Sequence, residues 1–247
     1  MPQKRSLIIN KNFEYYFGRY DESNDELFYQ NPRFVVHIDD GAIILVKGIL
    51  QDYIKDNAVV LDLMSSWRTH WPEGKSKESI VGLGLNAEEM ADNPDLDYAV
   101  VHNLNENPKL PFDDGIFDAV LMTVSVQYLI NPFKIFQEVS RVLKSKGVFI
   151  VTFSNRMFPT KAVNIWKETD EISRMQLVEF YMERSEGFDQ THTQLINPEH
   201  NYMEDPLYFI QTYVRIVSLD EGLVPFNMYD FQKRIVETIH DNRFTIC

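Results

Sequence analysis

The chain has 247 residues and a formal net charge of −13. This acidic balance argues against nonspecific nucleic-acid or membrane partners, because both surfaces are bound through clustered lysine and arginine. Cys247 is the only cysteine, so an intrachain disulfide is excluded, and no apolar run reaches a membrane span or resembles a secretory signal, from which we expect a cytoplasmic protein.

Short apolar runs separated by polar turns predict a parallel α/β sheet. The first two predicted strands are residues 58–64 and 79–83, and a third precedes His102. Residues 117–126 and 148–153 are almost continuously apolar, as expected of central strands that are covered on both faces.

A helix of about fourteen residues is predicted between the last two strands. Asn131 and Pro132 resemble an N-cap followed by a first-turn proline, and Gly147 is predicted to stop the helix. Apolar residues recur at helical spacing at Phe133, Phe136, Val139 and Leu143. Residues 111–115, PFDDG, predict a turn before the fourth strand, so strand, helix and strand form a right-handed crossover unit.

The segment LPFDDGIFDAVLMTVSVQYLINPFKIFQEVSRVLKSKGVFIVTF resembles the "LPF…FD…L…P…E…RVLKPGG" core of class I S-adenosylmethionine-dependent methyltransferases of type 11. The stretches FYQNPRFVVHIDDGAI and VLDLMSSWRTHWP are similar to a subfamily with a D-hydrophobic-x-S-S-W turn. The resemblance extends over residues 27–214. It implies a Rossmann-like sheet, mostly parallel with helices on both faces, and S-adenosyl-L-methionine as the cofactor.

The resemblance places the methionine end of the cofactor at the turn after the first strand. Asp62 matches the acidic residue that opens the turn, and Ser65 and Ser66 stand where the general family has glycines. A serine hydroxyl can bond a carboxylate, although serine enters the positive-φ region less easily than glycine. The alternative is a tight strand-to-helix turn with a serine N-cap.

The next two strand ends depart from the general pattern. Gly84 occupies the place of the acid that receives the ribose hydroxyls, and Asn86 offers an amide oxygen instead. Asn103 stands where an aspartate accepts a bond from the adenine amino group, with Leu104 expected to pack on the ring. The alternative for Asn103 is an asparagine-rich turn.

The remaining candidate residues concern the acceptor. Thr123 ends the fourth strand, at the edge where ligands bind in open α/β sheets, and Tyr128 either contacts substrate or begins the next helix. His37 is the candidate general base, polarised by Asp39 or Asp40, or a structural histidine. Anionic substrate would be oriented by Tyr29 or Arg33. Histidine and cysteine spacing gives no metal site.

The carboxyl third predicts helices at residues 158–167 and 172–184, and residues 205–210 resemble a last strand of the sheet. Residues 1–26 are predicted to be a lid or a disordered segment. Residues 215–247 resemble the segment before the Walker A loop of phage large-terminase ATPases, but no GxxxxGK[ST] follows. The alternative is an ordinary terminal helix that packs on the domain.

Three functions follow as hypotheses. The first is methyl transfer from S-adenosylmethionine to an unidentified, small-molecule acceptor. The second is a noncatalytic cofactor-binding protein, because Ser65, Ser66, Gly84 and Asn103 replace glycines and acids of the general pattern. The third is a phage packaging-related fusion, indicated by the tail alone. The sequence leaves the oligomeric state open.

Overall fold

The computed structural model describes residues 13–196 and two further strands, residues 215–218 and 222–225. Its main sheet has five strands in the order β3-β2-β1-β4-β5, and every neighbouring pair is parallel. The strands are β1 Ala58–Leu63, β2 Lys77–Gly84, β3 Tyr98–Val101, β4 Phe117–Thr123 and β5 Leu143–Thr152. This confirms the predicted Rossmann-like fold.

The chain reverses its direction of travel across the sheet between β1 and β4. From β1 it moves outward through β2 to β3, and then returns to place β4 on the other side of β1. Such a switch point leaves a crevice at the carboxyl ends of the strands, where ligands bind in open α/β sheets. The fold therefore locates the candidate site before any side chain is considered.

Seven helices cover or flank this sheet in the described residues. They are α1 Phe13–Phe17, α2 Asp25–Phe28, α3 Asp40–Tyr53, α4 Ala87–Ala91, α5 Pro132–Val142, α6 Asn164–Lys167 and α7 Glu171–Arg184. Two separate apolar clusters result, because β1 and β4 are buried on both faces. None of these helices combines the length and apolar character that crossing a bilayer requires.

The predicted helix stop at Gly147 is wrong. Helix α5 begins as predicted, with Asn131 accepting a hydrogen bond from Lys134 N–H, but it ends at Val142, and β5 starts at once with Leu143. The register between β4 and β5 shifts in this region, and a Cβ on Gly147 would lie 2.9 Å from the carbonyl oxygen of Lys144. Gly147 thus permits a close backbone approach inside an irregular strand.

The predicted helix over residues 158–167 is also wrong in extent. Only α6, Asn164–Lys167, is helical. Val163 N–H donates to Gln127 O at 3.0 Å, and Asn164 N–H donates to Gly18 O at 2.9 Å. These tertiary hydrogen bonds hold the backbone before α6 in a non-helical path. The helix predicted over residues 172–184 is confirmed as α7.

The chain divides into two compact units, Met1–Gln194 and Leu195–Cys247. In the second unit, β6 Arg215–Ser218 pairs antiparallel with β7 Gly222–Pro225. The strand predicted at residues 205–210 lies outside the described residues. The limits at residues 26 and 214 and the terminase resemblance stay predictions.

Candidate functional site

A cavity of about 550 Å³ lies at the switch point of the sheet. That volume is within the range of small-molecule sites, about 300–1,000 Å³. One side of the cavity consists of residues at and just after the ends of β1 to β4, here called the strand-end wall (residues 62–70, 84–89, 102–105 and 123–128). The opposite side, here called the cap, comes from residues 19–38 and 155–161.

All eleven residues that the sequence proposed for the site line this one cavity. Their functional roles stay predictions, but the fold brings together side chains that are up to 99 positions apart in the chain, from residue 29 to residue 128. They are Tyr29, Arg33, His37, Asp62, Ser65, Ser66, Asn86, Asn103, Leu104, Thr123 and Tyr128.

Asp62 is the buried anion of the strand-end wall. One of its oxygens, Oδ2, accepts hydrogen bonds from Ser65 Oγ at 2.6 Å and Thr69 Oγ1 at 2.7 Å. Burial raises the pKa of the Asp62 carboxyl to about 6, although both hydroxyls act to lower it. The other oxygen, Oδ1, makes no hydrogen bond to any of the residues that the structure describes. A buried carboxylate with one free oxygen suits a cationic ligand group.

The two serines after β1 bind carboxylates of the chain itself. Ser65 donates to Asp62, and Ser66 donates to Oε2 of Glu89, a carboxylate that is 4% exposed. Both hydroxyl protons are therefore used to build the loop. We had expected a serine hydroxyl to donate to the cofactor carboxylate, but in this arrangement neither serine has a proton left for that bond.

Gly84 has a structural reason to lack a side chain. A Cβ at this position would overlap the backbone carbonyl oxygen of Ser65. The loop crosses the end of β2 this closely because Ser65 N–H donates to Leu83 O at 2.8 Å. The same contact that fixes the loop thus excludes the family's ribose-binding acid.

Asn86 caps helix α4 and also bonds to the backbone at residues 29 and 30. Its Oδ1 accepts from the backbone N–H groups of Glu88 and Glu89, both at 3.0 Å, and so caps α4. Its Nδ2 donates to Tyr29 O at 2.9 Å and to Gln30 O at 3.3 Å. The amide oxygen that was expected to bond a ribose hydroxyl is committed to the helix.

Asn103 is the strand-end residue with an unused polar group. Its Oδ1 accepts from Asn105 N–H at 3.1 Å, whereas its Nδ2 is buried and has no partner within residues 13–196. The free group is therefore a donor, where the sequence interpretation expected an acceptor. Adenine offers ring nitrogens as acceptors, and the neighbouring Leu104 is a buried apolar residue at the same edge.

The end of β4 carries backbone strain. Thr123 is the last residue of the strand, and Val124 after it has a φ of 51°, which is unusual for a β-branched residue. Gln127 Nε2 holds this conformation by donating to Val124 O at 2.9 Å. Ser125, which follows Val124, lines the cavity with a buried hydroxyl that has no partner among the described residues. Strain of this kind clusters at functional sites.

Phe158 is the centre of an aromatic group in the cap, and it was not among the residues predicted for the site. Its ring stacks on Tyr128 with 6.0 Å between centroids and meets His37 edge-on at 5.3 Å. Tyr29 also lies edge-on to it at 6.3 Å. The Tyr128 hydroxyl accepts from Phe158 N–H at 2.8 Å. Tyr128 therefore belongs to a 3-10 turn, Val126–Tyr128, and to the aromatic wall of the cavity.

Arg33 is held among three aromatic rings. Its Cζ lies 4.7 Å from the ring centre of Phe28 and 5.4 Å from those of Tyr29 and Phe158. Its Nη2 donates to Phe28 O at 2.8 Å, while Nη1 is buried and has no partner in the described part of the chain. The guanidinium is thus fixed in position with hydrogen-bonding capacity in reserve.

His37 lies at the exposed side of the cap. Burial lowers the pKa of its imidazole, so the ring is neutral near pH 7, as a base must be. Asp39, one of the two aspartates expected to polarise His37, instead caps α3 by accepting a hydrogen bond from Ala42 N–H at 2.9 Å. Among the described residues, neither Asp39 nor Asp40 bonds to His37. The charge of the Glu89 carboxylate raises the pKa of the His37 imidazole, against the larger lowering by burial.

Six charged residues that line the cavity were missed by the sequence reasoning, and Arg68 and Arg156 are two of them. Arg19, Asp25 and Lys161 form a buried cluster in the cap, and Glu89 joins the cap to the strand-end wall by accepting from Arg33 N–H at 2.7 Å. Glu89 stands three residues after the N-cap Asn86, the spacing of a capping box, which was a usable signal. Nothing local distinguishes Lys161 from a surface lysine.

Comparison with known proteins agrees with the fold. Residues 76–151 match the sequence profile of a methyltransferase domain, Methyltransf_11. An S-adenosylmethionine-dependent methyltransferase from Mesorhizobium loti is 15% identical, with 64% of this chain and 88% of that chain covered and a TM-score of 0.48. No curated protein matches the sequence closely enough to count as a relative.

Two further solved structures show the same similarity. PH0226 protein from Pyrococcus horikoshii OT3 is 21% identical over 52% of this chain and 66% of that chain, with a TM-score of 0.39. Geranyl diphosphate C-methyltransferase from Streptomyces coelicolor A3(2) is 21% identical over 42% of this chain and 43% of that chain, with a TM-score of 0.32. The chain spans less than two thirds of the length of these two proteins.

The domain match and the Rossmann-like sheet support an S-adenosylmethionine-dependent methyltransferase. The residues present fit that cofactor at two places: the free donor of Asn103 at the adenine end, and the free carboxylate oxygen of Asp62 at the cationic end. They do not supply the ribose acid, since Gly84 cannot carry a side chain. Placement in the subfamily with the Ser-Ser-Trp turn stays a prediction.

Proposed function

We propose that the protein transfers a methyl group from S-adenosylmethionine to a small-molecule acceptor. The observation that carries the proposal is that residues of the strand-end wall and of the cap line one cavity. When bound, S-adenosylmethionine supplies an electrophilic methyl group. The chain's task is then to align an acceptor with that group and to exclude water.

The strand-end wall would hold the cofactor. Asn103 Nδ2 would donate to the adenine ring, against which Leu104 packs, and the Asp62 carboxylate would attract the ammonium group. Each of these groups has unused capacity in the chain, and neither needs the loop to rebuild. Thr123 and Ser125 complete this side of the cavity.

The cap would hold the acceptor. Tyr29, Tyr128 and Phe158 provide apolar surface, and Arg33 provides a fixed cation. His37 is the group that would take a proton from the acceptor, because its imidazole is neutral near pH 7 and lines the same cavity. Methyl transfer to an acceptor without an acidic proton would not need it.

Calorimetric titration with S-adenosylmethionine and S-adenosylhomocysteine tests the cofactor assignment. We expect both to bind at one site per chain. Folded protein that binds neither at millimolar concentration would overturn the proposal. Replacement of His37 by glutamine separates binding from proton transfer, because cofactor affinity should stay while turnover of a hydroxyl acceptor falls by about a hundredfold or more.

A noncatalytic cofactor-binding protein is the second candidate, and Gly84 favours it, because the position that receives the ribose in the general family is closed. The two candidates differ in one measurement. A binding protein should retain S-adenosylhomocysteine and show no methyl loss from radiolabelled S-adenosylmethionine with any acceptor panel.

A further inference from the structure

The cavity contains unpartnered hydrogen-bond donors. Seven buried side-chain polar atoms lack a partner among the described residues, and four of them belong to residues that line the cavity. Three of those four are N–H groups, and the other is a hydroxyl. They are Arg19 Nε, Arg33 Nη1, Asn103 Nδ2 and Ser125 Oγ. Because unmet donors cost free energy until an acceptor arrives, the cavity suits ligands rich in acceptor atoms.

The two sides of the cavity divide these donors. Asn103 and Ser125 belong to the strand-end wall, where the cofactor is expected. Arg19 and Arg33 belong to the cap, and both are cations. A cofactor on the strand-end wall would therefore leave the cap donors unmet. These donors suit a second, negatively charged acceptor group.

The charge of the lining points the same way. Five cationic side chains line the cavity, against three carboxylates, in a chain whose formal net charge is −13. The cations are Arg19, Arg33, Arg68, Arg156 and Lys161, and the carboxylates are Asp25, Asp62 and Glu89. S-adenosylmethionine itself carries a net positive charge, so binding it increases the excess. An anionic second ligand would compensate for it.

Three of these cations form one continuous patch in the cap. Asp25 Oδ1 bonds to Arg19 Nη1 at 2.7 Å and lies 3.2 Å from Lys161 Nζ. The ring of Phe28 connects Lys161 to Arg33, whose charged groups lie 5.5 Å and 4.7 Å from its centre. One buried carboxylate thus serves the patch inside the cavity.

Two further carboxylates approach the patch from outside. Asp21 lies 3.3 Å from Lys161 Nζ and Glu22 lies 3.8 Å from Arg19 Nε, but their side chains are 30% and 61% exposed. Water screens these outer pairs. Arg33 forms no ion pair among the described residues, so it is the cation of the patch that is best placed to meet an incoming anion.

We propose that the methyl acceptor is a small organic acid with an aromatic or apolar body, whose carboxylate binds to Arg33 with Arg19 beside it. The body would pack on Tyr29, Tyr128 and Phe158. This inference rests on the proposed function, because it assigns the second ligand of the same cavity. A fixed guanidinium matches a carboxylate geometrically, and aromatic rings accept a planar body.

The test compares acids with their neutral amides on the full chain saturated with S-adenosylhomocysteine. Benzoate, phenylacetate and 3-phenylpropanoate would each be titrated against benzamide, phenylacetamide and 3-phenylpropanamide by ligand-observed NMR. We expect at least one acid to bind about ten- to a hundredfold more tightly than its amide, as hydrogen bonds to a charged group predict. A chain that binds S-adenosylhomocysteine but prefers no acid overturns this inference and leaves the proposed function intact.

Arg33→Gln should remove the preference for the acid, and Arg33→Lys should retain part of it. Arg184→Gln is the matched control, because Arg184 also lies over an aromatic ring, 5.3 Å from Phe180, but does not line the cavity. If Arg33→Gln keeps the preference, or weakens S-adenosylhomocysteine binding as much as acid binding, the inference is wrong. The second result would assign Arg33 to the cofactor's own carboxylate.

Discussion

The two sides of the cavity use their polar side chains differently. In the strand-end wall, Ser65, Ser66 and Asn86 are consumed by the loop and the helix that they hold. In the cap, Arg19 and Arg33 are fixed by rings and one carboxylate, yet keep buried donors free. Matching the family's motif therefore locates the site, whereas unused hydrogen-bonding capacity indicates what the site can bind.

Gly84→Asp introduces the acid of the general family into the strand-end wall, and we expect it to have the largest effect on stability. The new Cβ would overlap the Ser65 carbonyl, which is backbone, so the loop must move. We expect a loss of about 3 kcal/mol or more in the free energy of unfolding, by denaturant titration, and no gain in cofactor affinity.

Gly48→Ala is the control for that change. Gly48 lies inside α3, and a Cβ there meets no atom within 4 Å, so we expect a gain of about 0.5–1 kcal/mol. If Gly84→Asp instead binds S-adenosylhomocysteine more tightly without loss of stability, the strand-end wall is less fixed than its contacts indicate.

Lys161→Met tests the buried charges of the cap. Lys161 Nζ is 3.2 Å from Asp25, and both side chains are almost completely buried. Removing one partner of a buried pair costs about 3–5 kcal/mol. Lys47→Met breaks an exposed pair with Glu73 and should cost less than about 1 kcal/mol, which thermal unfolding of both variants would show. Equal costs would mean that the cap cluster is solvated.

Asp62→Asn tests whether the strand-end wall keeps a carboxylate for the ligand at the expense of stability. Both hydroxyl donors bond to one oxygen, Oδ2, so the amide oxygen can replace it. The pKa of Asp62 is raised from 3.8 to about 6, so the folded state binds the proton more tightly, and wild-type stability falls as pH rises from about 4 to 6.

The Asp62→Asn variant should therefore be more stable than wild type by roughly 3 kcal/mol at pH 7 and equal to it near pH 4. Its affinity for S-adenosylmethionine should fall. Asp118→Asn is the opposite control: burial raises the pKa of Asp118, but Lys55 and Lys144 lower it to about 2, so its stabilisation is present above pH 4 and lost towards pH 2. A destabilised Asp62→Asn at pH 7 would contradict the assignment.

Asn103→Asp gives the smallest expected effect, and it decides whether residue 103 donates a hydrogen bond to adenine or accepts one. If the free amide nitrogen donates to the ligand, the aspartate should weaken S-adenosylhomocysteine binding by about tenfold. If the oxygen accepts instead, as in the general family, binding should strengthen. Asn107→Asp, with an exposed amide that bonds Lys109 N–H, should leave the affinity unchanged in the same titration.

Most residues of the strand-end wall could be predicted from the sequence, because they directly follow apolar strands that are recognisable from local sequence. Asp62, Asn103 and Thr123 could be placed at one edge once a parallel sheet was predicted. The hydrogen bonds of this wall could not be predicted, since the hydroxyls of Ser65 and Ser66 could donate equally well to a ligand or to a carboxylate of the chain. The fate of a hydroxyl depends on which loop crosses which strand.

The cap was mostly beyond sequence reasoning. Phe158 and Lys161 lie in a segment that was predicted to be helical from the family resemblance, and Arg19 lies in the segment that was predicted to be a lid or disordered. Their positions result from tertiary contacts, such as Val163 N–H bonding to Gln127 O, that override local preference.

From the sequence alone, the alternation of apolar strands and helices predicted a parallel α/β sheet and the edge at which ligands bind, because this alternation allows few topologies. The resemblance to class I methyltransferases added the Rossmann-like fold and most of the candidate residues. Which polar groups remain free depends on tertiary contacts. Gly84 is closed by a backbone carbonyl, and Asn103 and Arg33 retain donors because of neighbours that are distant in sequence. Hydrogen-bonding capacity is a property of the assembled neighbourhood, so no single chain segment encodes it.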